Sequence, residues 1–372
     1  MKIGLVGLGA QALRRHCPAI TSLGLPLAAV YDPSPAAVAA FEEKYAGVNV
    51  CSTVEELASL CDVADVVIPP SGHVRVFNEL VDFGRPFISE KPFCRSWLEA
   101  SEIAERVAAR GLRAAYLESW IFDPAVIHLR SILSRGSLGL LQRVWISHPN
   151  SGLAIYPRQN AWRAIADEGG GALLDWGSHG VGLAWYFAGL SSSVIGVTAI
   201  DVRTSQRRTL AGGRFLETDV EDIAVFELAF RTPSGRVIVA NIDCSWGHSW
   251  MWSPGYRYTL YRVEGSRGAA EVRAENTEEG RRYLLNVDMR ERTGAIDLGL
   301  LKDSDPTAWA LGNALSGIAD ASLPRPESSL EFATGIQMVL DSVRLSANRG
   351  ATVAPAEFVH DIRSIERHCG DG

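Results

Sequence analysis

The sequence predicts a doubly wound α/β domain followed by an α+β domain with a large open, mainly antiparallel sheet. Strand and helix signals alternate over the first 120 residues, which is typical of a parallel sheet with helices on both faces. Strand signals then follow one another without helices between about residues 194 and 287, which indicates an antiparallel sheet. The length of 372 residues is that of two domains. We assign residues 1–121 to the first and residues 122–372 to the second.

The elements of the first domain follow from apolar runs and helix caps. Apolar runs predict strands at Lys2–Val6, Leu27–Tyr31 and Val63–Ile68. The last run is unbroken, as expected for a strand that is buried on both faces of a parallel sheet. Ser34 and Pro35 begin a helix, because serine caps free N–H groups and proline fits the first helical position. Capping boxes predict two further helices, at Thr53/Glu56 and Ser96/Glu99.

The second domain begins with a predicted helix, Pro124–Arg135, and a predicted strand, Leu141–Ser147. A segment rich in glycine and tryptophan, residues 160–190, indicates loop and helix. Turn signals then separate predicted strands at Val194–Ile200, Ile223–Phe230, Arg236–Asp243, Tyr256–Val263 and Ala269–Val272. The last predicted helices are Pro306–Ala321 and Leu330–Ala347.

Composition and charge disfavour several classes of protein. The formal net charge of −7 argues against nucleic acid as a partner, because phosphate binding requires clustered Lys and Arg. Six cysteines without a CxxC pair indicate free thiols in a reducing cytoplasm, and no set of residues has convincing metal-ligand spacing. The apolar runs Ile3–Ala10 and Ala172–Leu190 are too short or too polar for a signal peptide or a membrane span. We therefore expect a cytoplasmic protein without a bound metal.

A glycine-rich turn follows the first predicted strand and has the pattern G-x-G-x-x-A. Gly7 allows the tight turn, Gly9 lets the backbone approach a pyrophosphate, and Ala12 is small enough for close helix–strand packing. The pyrophosphate would bind at the helix N-terminus, where free N–H groups favour anions. Ala10 and Gln11 complete this candidate cofactor-binding turn. The alternative is a turn with only a structural role.

Asp32 bears on the choice of cofactor. It lies twenty residues beyond Ala12, at the end of the next apolar run, where an acidic residue binds ribose hydroxyls in dinucleotide-binding domains. A carboxylate there repels a 2′-phosphate, and Pro33 adds no cation, so NAD is favoured. Arg14 or Arg15 could still reach this region, so NADP stays possible.

The tripeptide Glu90-Lys91-Pro92 follows a short apolar run and precedes a capped helix. A lysine at the carboxyl end of a parallel strand lies where such sheets bind ligands. The ammonium of Lys91 could polarise a substrate carbonyl or stabilise an alkoxide during hydride transfer. The alternative is an ordinary solvated lysine.

A second informative segment contains three consecutive glycines followed by Asp175 and His179. The two residues are four apart, so on a helix they share one face. Such a pair can shuttle a proton, with the carboxylate orienting the imidazole. A helical salt bridge, or a core histidine bonded to a carbonyl, is the alternative.

These segments occur together in the order and spacing of one family. The chain resembles the glucose–fructose oxidoreductase/inositol dehydrogenase/MocA (Gfo/Idh/MocA) family of NAD(P)-dependent oxidoreductases. The resemblance rests on the glycine turn, Glu90-Lys91-Pro92 and Gly170-Gly171-x-x-x-Asp175-x-Gly177-x-His179. Supporting positions are Pro70, His73, Phe122-Asp123-Pro124, Trp162-Arg163 and residues 346–350.

The resemblance implies a Rossmann domain and a catalytic set of Lys91, Asp175 and His179. His179 would be the base that takes a hydroxyl proton, Lys91 would hold the same oxygen, and Asp175 would assist the proton relay. It implies further cofactor contacts from Pro70, His73, Glu90 and Lys91, and substrate contacts from Trp120, Trp162, Arg163, Asp175 and His179. Family members usually act on sugars or cyclitols and often form homodimers or homotetramers through the open sheet.

Three features leave alternatives open. Residues 118–121 read Glu-Ser-Trp-Ile where many members carry Asn or Arg, so substrate contacts there differ. An aromatic cluster, either a sugar-stacking platform or a packing cluster, comprises Trp246, His248, Trp250, Trp252 and Tyr256. Arg158 and Arg163 would either bind an anionic substituent of the substrate or form structural ion pairs.

The leading hypothesis is reversible oxidation of a secondary alcohol on a sugar, cyclitol or related derivative, with NAD(P) as the hydride acceptor. A second hypothesis is a glycosidase-type enzyme that recycles tightly bound NAD. A third is a dinucleotide-sensing binding protein without catalysis, against which the presence of Lys91, Asp175 and His179 argues.

Overall fold

The computed structural model describes residues 1–150, 162–204, 208–210, 214–216, 218–246, 259–277, 280–289, 292–300 and 306–360. The chain divides into two compact units. Unit 1 comprises Met1–Phe122 and Asp305–Gln337, and unit 2 comprises Asp123–Ser304 and Met338–Gly372. The sequence-based boundary after residue 121 lies one residue before the first of these breaks, and the sequence-based division places residues 305–337 in the second domain.

The described strands and helices are numbered in chain order. The strands are β1 Ile3–Val6, β2 Leu27–Tyr31, β3 Asn49–Val50, β4 Val63–Val66, β5 Phe87–Glu90, β6 Ala114–Leu117, β7 Leu141–Ser147, β8 Ser193–Arg203, β9 Arg208–Leu210, β10 Arg214–Leu216, β11 Ile223–Arg231, β12 Val237–Asp243, β13 Thr259–Gly265, β14 Gly268–Thr277, β15 Gly280–Met289 and β16 Arg292–Leu300. The helices are α1 Cys17–Ser22, α2 Pro35–Glu42, α3 Val54–Leu60, α4 His73–Phe83, α5 Trp97–Ala109, α6 Pro124–Ser134, α7 Ala172–Asp175, α8 Gly177–Ala188, α9 Pro306–Ala319 and α10 Leu330–Arg349. None of these helices has the combination of length and apolar character that a bilayer crossing requires.

Unit 1 is built on a parallel sheet with the strand order β3-β2-β1-β4-β5-β6. This is the order of a dinucleotide-binding Rossmann sheet, in which ligands bind beyond the carboxyl ends of the strands. The predicted fold class of the first domain is therefore confirmed.

The two faces of β1 show how the helices pack on this sheet. Ile3 is buried in one core cluster with α1 and α9. Gly4 points to the other face, where a side chain would come within 2.7 Å of Leu57 and 2.8 Å of Cys61. The absence of a side chain at Gly4 thus lets α3 approach the sheet closely.

Three helices of unit 1 begin at the predicted caps. The hydroxyls of Ser34, Thr53 and Ser96 accept the N–H groups of Ala37, Glu56 and Glu99. These caps satisfy N–H groups that the helices leave free at their first turn.

Unit 2 contains a sheet that has eight strands in the described part of the chain, in the order β16-β15-β14-β13-β7-β12-β11-β8. Adjacent strands of this sheet are antiparallel, except for the parallel pair β7 and β12. The prediction of a large, mainly antiparallel sheet is confirmed. The sequence pattern predicts no separate strand for β15 or β16, because charged residues such as Arg282, Asp288 and Asp297 interrupt their apolar pattern.

The helix α8 packs on this sheet through a glycine. A side chain at Gly180 would come within 2.7 Å of Ile242 on β12, so glycine permits the close approach. The helix carries His179 next to this contact, and the packing therefore fixes the position of a predicted catalytic residue.

Candidate active site

The glycine turn after β1 has the backbone that the sequence pattern requires. Gly7 has a φ of +95°, its N–H donates to the carbonyl of Tyr31 at 2.8 Å, and a side chain there would overlap the carbonyl of Val67. A side chain built at Gly9 would meet no atom within 4 Å. Gly7 therefore shapes the turn, and the bare backbone at Gly9 leaves room for an anion to approach.

The other residues of the turn divide by burial. Ala12 is fully buried in a core cluster with Val30 and Phe41, where a small side chain lets helix and strand pack closely. Gln11 is exposed and Ala10 is half-buried, so both lie at the surface where a pyrophosphate would bind.

Asp32 joins the end of β2 to the glycine turn. One carboxylate oxygen accepts the N–H of Leu8 and the other accepts the N–H of Ser34, each at 2.8 Å. Each oxygen keeps a further lone pair for a ribose hydroxyl. The residues of this edge therefore fit a dinucleotide.

A buried charge network lies beneath the turn. Residues Ala12–His16 form a π-helical turn, which brings the His16 ring between two carboxylates: Nδ1 lies 2.7 Å from Asp65 and Nε2 lies 3.1 Å from Glu90. Burial lowers the pKa of His16, but the charge of Asp65 and the hydrogen bonds to both carboxylates outweigh it and raise the pKa to about 10. His16 is therefore a buried cation in this unit.

Glu90 is the ionised partner of that cation. Burial alone would raise its pKa, but the hydrogen bond and charge of His16, with the charge and N–H of Lys91, lower it to about 2. Its second oxygen accepts the backbone N–H of Lys91 at 2.8 Å. The network thus holds the backbone of Lys91 at the carboxyl end of β5.

Glu118 lies at the end of the neighbouring strand and is 1% exposed. Burial raises its pKa to about 8, against the charge of Lys91 and the N–H of Trp120. The N–H of Trp120 donates to Glu118 at 3.2 Å, in the turn Ser119–Phe122. The side chain of Trp120 is half-buried, and its contact with substrate stays a prediction.

Pro70 and His73 lie in the segment after β4 and are both buried. The ring nitrogens of His73 lie 2.8 Å from the carbonyl of Phe93 and 3.1 Å from that of Ile68. Burial lowers the pKa of His73, which favours the neutral ring. His73 therefore ties together the segments that follow β4 and β5, and direct contacts of Pro70 and His73 with the cofactor stay predictions.

The predicted substrate residues of unit 2 form a buried ion pair. The Nε of Arg163 donates to Asp175 at 2.9 Å, and both side chains are at most 8% exposed. The guanidinium of Arg163 also lies over the ring of Trp162, at 4.2 Å from its centroid. The structural ion pair that the sequence left open for Arg163 is thus present, and its partner is a predicted catalytic residue.

His179 lies four residues beyond Asp175, across a one-residue break between α7 and α8 at Trp176. Its ring is 4% exposed and meets the ring of Trp176 edge-on, with centroids 6.5 Å apart. The ring of Trp176 also lies 6.0 Å from that of His148, a buried histidine. The proton relay between Asp175 and His179 stays a prediction.

Gly171, the last glycine before α7, has a backbone conformation that favours glycine and lies against the half-buried carboxylate of Glu221. Gly171 has a φ of +108° and a side chain there would overlap the carboxylate of Glu221. That carboxylate accepts the N–H of Leu173 at 3.1 Å. Glu221 thus fixes the first turn of the segment that carries Asp175.

Sequence reasoning missed His16, Asp65, Glu118 and His148 as members of these sites. His16 lies 49 residues from Asp65 and 74 from Glu90, so no local spacing relates them. In the segment 118–121, where the resemblance predicts Asn or Arg, the chain has Glu118, and this difference could have identified Glu118 as a site residue.

The aromatic cluster is described only at one end. Trp246 is fully buried, and its indole N–H has no hydrogen-bond partner among the described residues. His248, Trp250, Trp252, Tyr256 and Arg158 lie outside the described residues. Within the described part of the chain, no group of three or more His, Cys, Asp or Glu residues is arranged to hold a metal.

Comparisons with known proteins agree with this fold. Residues 1–117 match a family described as an oxidoreductase family with an NAD-binding Rossmann fold. Residues 126–271 match the GFO/IDH/MocA C-terminal domain.

Two curated relatives match part of the chain. An uncharacterised oxidoreductase of Schizosaccharomyces pombe is 25% identical over 66% of this chain and 64% of its own length. D-xylose dehydrogenase of Paenarthrobacter nicotinovorans is 26% identical over 50% of this chain and 47% of its own length. The matches thus span less than two thirds of these relatives.

Among solved structures, aldose–aldose oxidoreductase from Caulobacter crescentus, complexed with glycerol, has the same fold. It superposes with a TM-score of 0.77 at 20% identity, over 95% of this chain and 99% of its own. With both family domains matched in order, the chain belongs to the GFO/IDH/MocA family of oxidoreductases, which have an NAD-binding Rossmann fold.

Proposed function

We propose that this protein transfers a hydride between NAD(P) and a secondary alcohol or ketone of a sugar, cyclitol or related derivative. The observation that carries the proposal is the position of Lys91 at the carboxyl end of β5. In a parallel sheet this is the same edge as the glycine turn after β1, where ligands bind. The D-xylose dehydrogenase relative supports a sugar-like substrate.

When bound, the oxidised nicotinamide supplies the hydride acceptor. The turn at Gly7 and Gly9 binds the pyrophosphate, and Asp32 accepts the ribose hydroxyls. The Asp32 carboxylate also disfavours a 2′-phosphate, so NAD is the preferred cofactor.

Two side chains manage the reacting hydroxyl in this proposal. The Nζ of Lys91 donates to the alcohol oxygen and stabilises negative charge that develops on it. A ring nitrogen of His179 takes the hydroxyl proton. Asp175, which is paired with Arg163, would assist the proton relay from His179.

We also propose a cytoplasmic location and assembly as a homodimer or homotetramer. Apolar side chains exposed on the sheet of unit 2 support the assembly, among them Trp145, Ile200 and Val237. The net charge of −7 supports a small-molecule substrate rather than nucleic acid.

Turnover of a polyol and sugar panel tests the proposal. Purified protein with NAD should produce the absorbance of reduced nicotinamide with at least one secondary alcohol. Lys91→Ala and His179→Ala should each lower kcat by about 100-fold or more, because acid–base groups contribute about 10²–10⁴-fold.

Two exposed residues of the same types provide matched controls. Lys44→Ala and His128→Ala each remove a lysine or histidine side chain from the surface. Near-normal rates in both active-site variants would exclude the proposed roles. Release of a sugar without net cofactor reduction would instead identify an enzyme that recycles its cofactor.

A further inference from the structure

Two neighbouring strands of unit 1 end next to two glutamates and Lys91. In the parallel pairing of β5 with β6, Glu90 is the register partner of Leu117. Lys91 and Glu118 are therefore the next residues on adjacent strands, which lie about 4.8 Å apart. This register brings Glu90, Lys91 and Glu118 together at the cofactor edge of the sheet.

Burial makes this cluster unusual. Glu118 is 1% exposed, and carboxyl groups are almost never fully buried without a partner. One carboxyl oxygen accepts the N–H of Trp120. The charge of Lys91 also acts on Glu118 and on Glu90. The strand register and the charge of Lys91 thus relate the buried acid to the predicted catalytic lysine.

The two carboxyl groups differ in charge. Glu90 is held ionised by His16, which lowers its pKa to about 2 against the effect of burial. Burial raises the pKa of Glu118 to about 8, although Lys91 and the Trp120 N–H oppose it. Such a pair of acids with separated pKa values is typical of sites that handle protons.

We propose that Glu118 is a positioning residue that, with Glu90, holds the ammonium of Lys91 between two carboxyl groups. The inference rests on the proposed function of Lys91. At neutral pH only Glu90 carries a negative charge, so the ammonium keeps a net positive field for the substrate oxygen. When Glu118 ionises, a second carboxylate competes for the same ammonium and weakens that field.

The groups of unit 1 that act on Glu118 are Lys91, Glu90, Tyr116 and the Trp120 N–H. Tyr116 is buried, and burial raises its pKa well above the ordinary value. It therefore stays neutral through the range in which Glu118 titrates, and Lys91 is the group whose field that titration changes.

The pH profile of kcat tests the inference. In the wild-type protein kcat should fall above about pH 8, by up to about tenfold per pH unit. Glu118→Gln keeps the shape of the side chain but cannot ionise, so the alkaline fall should disappear. Glu118→Asp keeps an acid and should retain an alkaline fall. Glu42→Gln, which removes an exposed carboxylate, should behave as the wild type.

A second measurement does not depend on turnover. In protein labelled with ¹³C at glutamate carboxyls, the Glu118 signal is the one that Glu118→Gln removes. It should titrate near pH 8, and Lys91→Met should move the titration to higher pH because a neighbouring positive charge is lost.

The outcomes separate this inference from the proposed function. If wild-type protein turns over but Glu118→Gln retains the alkaline fall, the inference is wrong and the proposed function stands. If no alcohol is oxidised, the proposed function fails, and the carboxyl titration alone decides whether Glu118 and Lys91 are coupled. A Glu118 titration near the ordinary value of 4.5, or one that Lys91→Met leaves unchanged, overturns the inference.

Discussion

His16 is a buried residue whose charge depends on two carboxylates from distant parts of the chain. Burial disfavours its protonated form, but Asp65 and Glu90 raise its pKa from 6.5 to about 10. The stabilisation that this cation contributes is therefore fully present below about pH 6.5 and is lost as the pH rises through 10. Glu90, with its pKa lowered from 4.5 to about 2, contributes stability above about pH 4.5 that is lost as the pH falls through 2.

Individual site residues differ in how far sequence predicts them. Asp32 and Lys91 occupy fixed positions in sequence motifs, so the motifs alone identify them as candidate site residues. A structural ion pair was one of two open alternatives for Arg163, and its partner Asp175 was not predicted, because sequence shows neither which side chains meet nor whether water is excluded. His16 and Glu118 depend on strand register and burial, which are properties of the folded unit.

A substitution at Asp32 tests whether this residue determines the preference for NAD over NADP. Asp32→Asn removes the negative charge, so the ratio of kcat/KM with NADP to that with NAD should rise by roughly tenfold, the effect of about 1.4 kcal/mol of lost repulsion. Steady-state kinetics with both cofactors measure this ratio. Glu43→Gln removes an exposed carboxylate from the same unit and should leave the ratio unchanged; an unchanged ratio in Asp32→Asn would contradict the assignment.

Whole elements were predictable where the signals that form them are local. Helix caps at Ser34, Thr53 and Ser96 bond as their spacing predicts, because capping involves residues three apart. The strands β15 and β16 were not predicted, since pairing with neighbouring strands rather than apolar alternation places them in the sheet.

The segment that begins α7 depends on the absence of a side chain at Gly171. Gly171→Ala should destabilise the protein by about 2 kcal/mol or more, because alanine is strained at this φ and its Cβ overlaps Glu221. Denaturant unfolding measures the loss.

Gly235 is the comparison for that variant, since it also has a positive φ, +82°, but a side chain there meets no atom within 4 Å. Gly235→Ala should therefore cost only the backbone strain, about 1 kcal/mol. Equal losses in both variants would show that the Glu221 contact has no energetic role.

At the scale of the whole molecule, the sequence predicted the order of the two folds, but unit 1 uses a segment from near the chain's end. The helix α9 buries Ala310, Leu311 and Ala314 in the same core cluster as β1. Helical spacing predicts that such a segment is a helix, but not which sheet it covers. Local sequence patterns do not predict long-range packing of this kind.

If the protein is a dehydrogenase, a hydride passes from a substrate carbon to the nicotinamide. Alcohols from the panel, labelled with deuterium at the carbinol carbon, are incubated with the protein and NAD, and the reduced cofactor is examined by mass spectrometry. We expect one deuterium per reduced nicotinamide, with the label lost from the product ketone. Saturable NAD binding without turnover of any alcohol, or reduced cofactor that carries no deuterium, would contradict it.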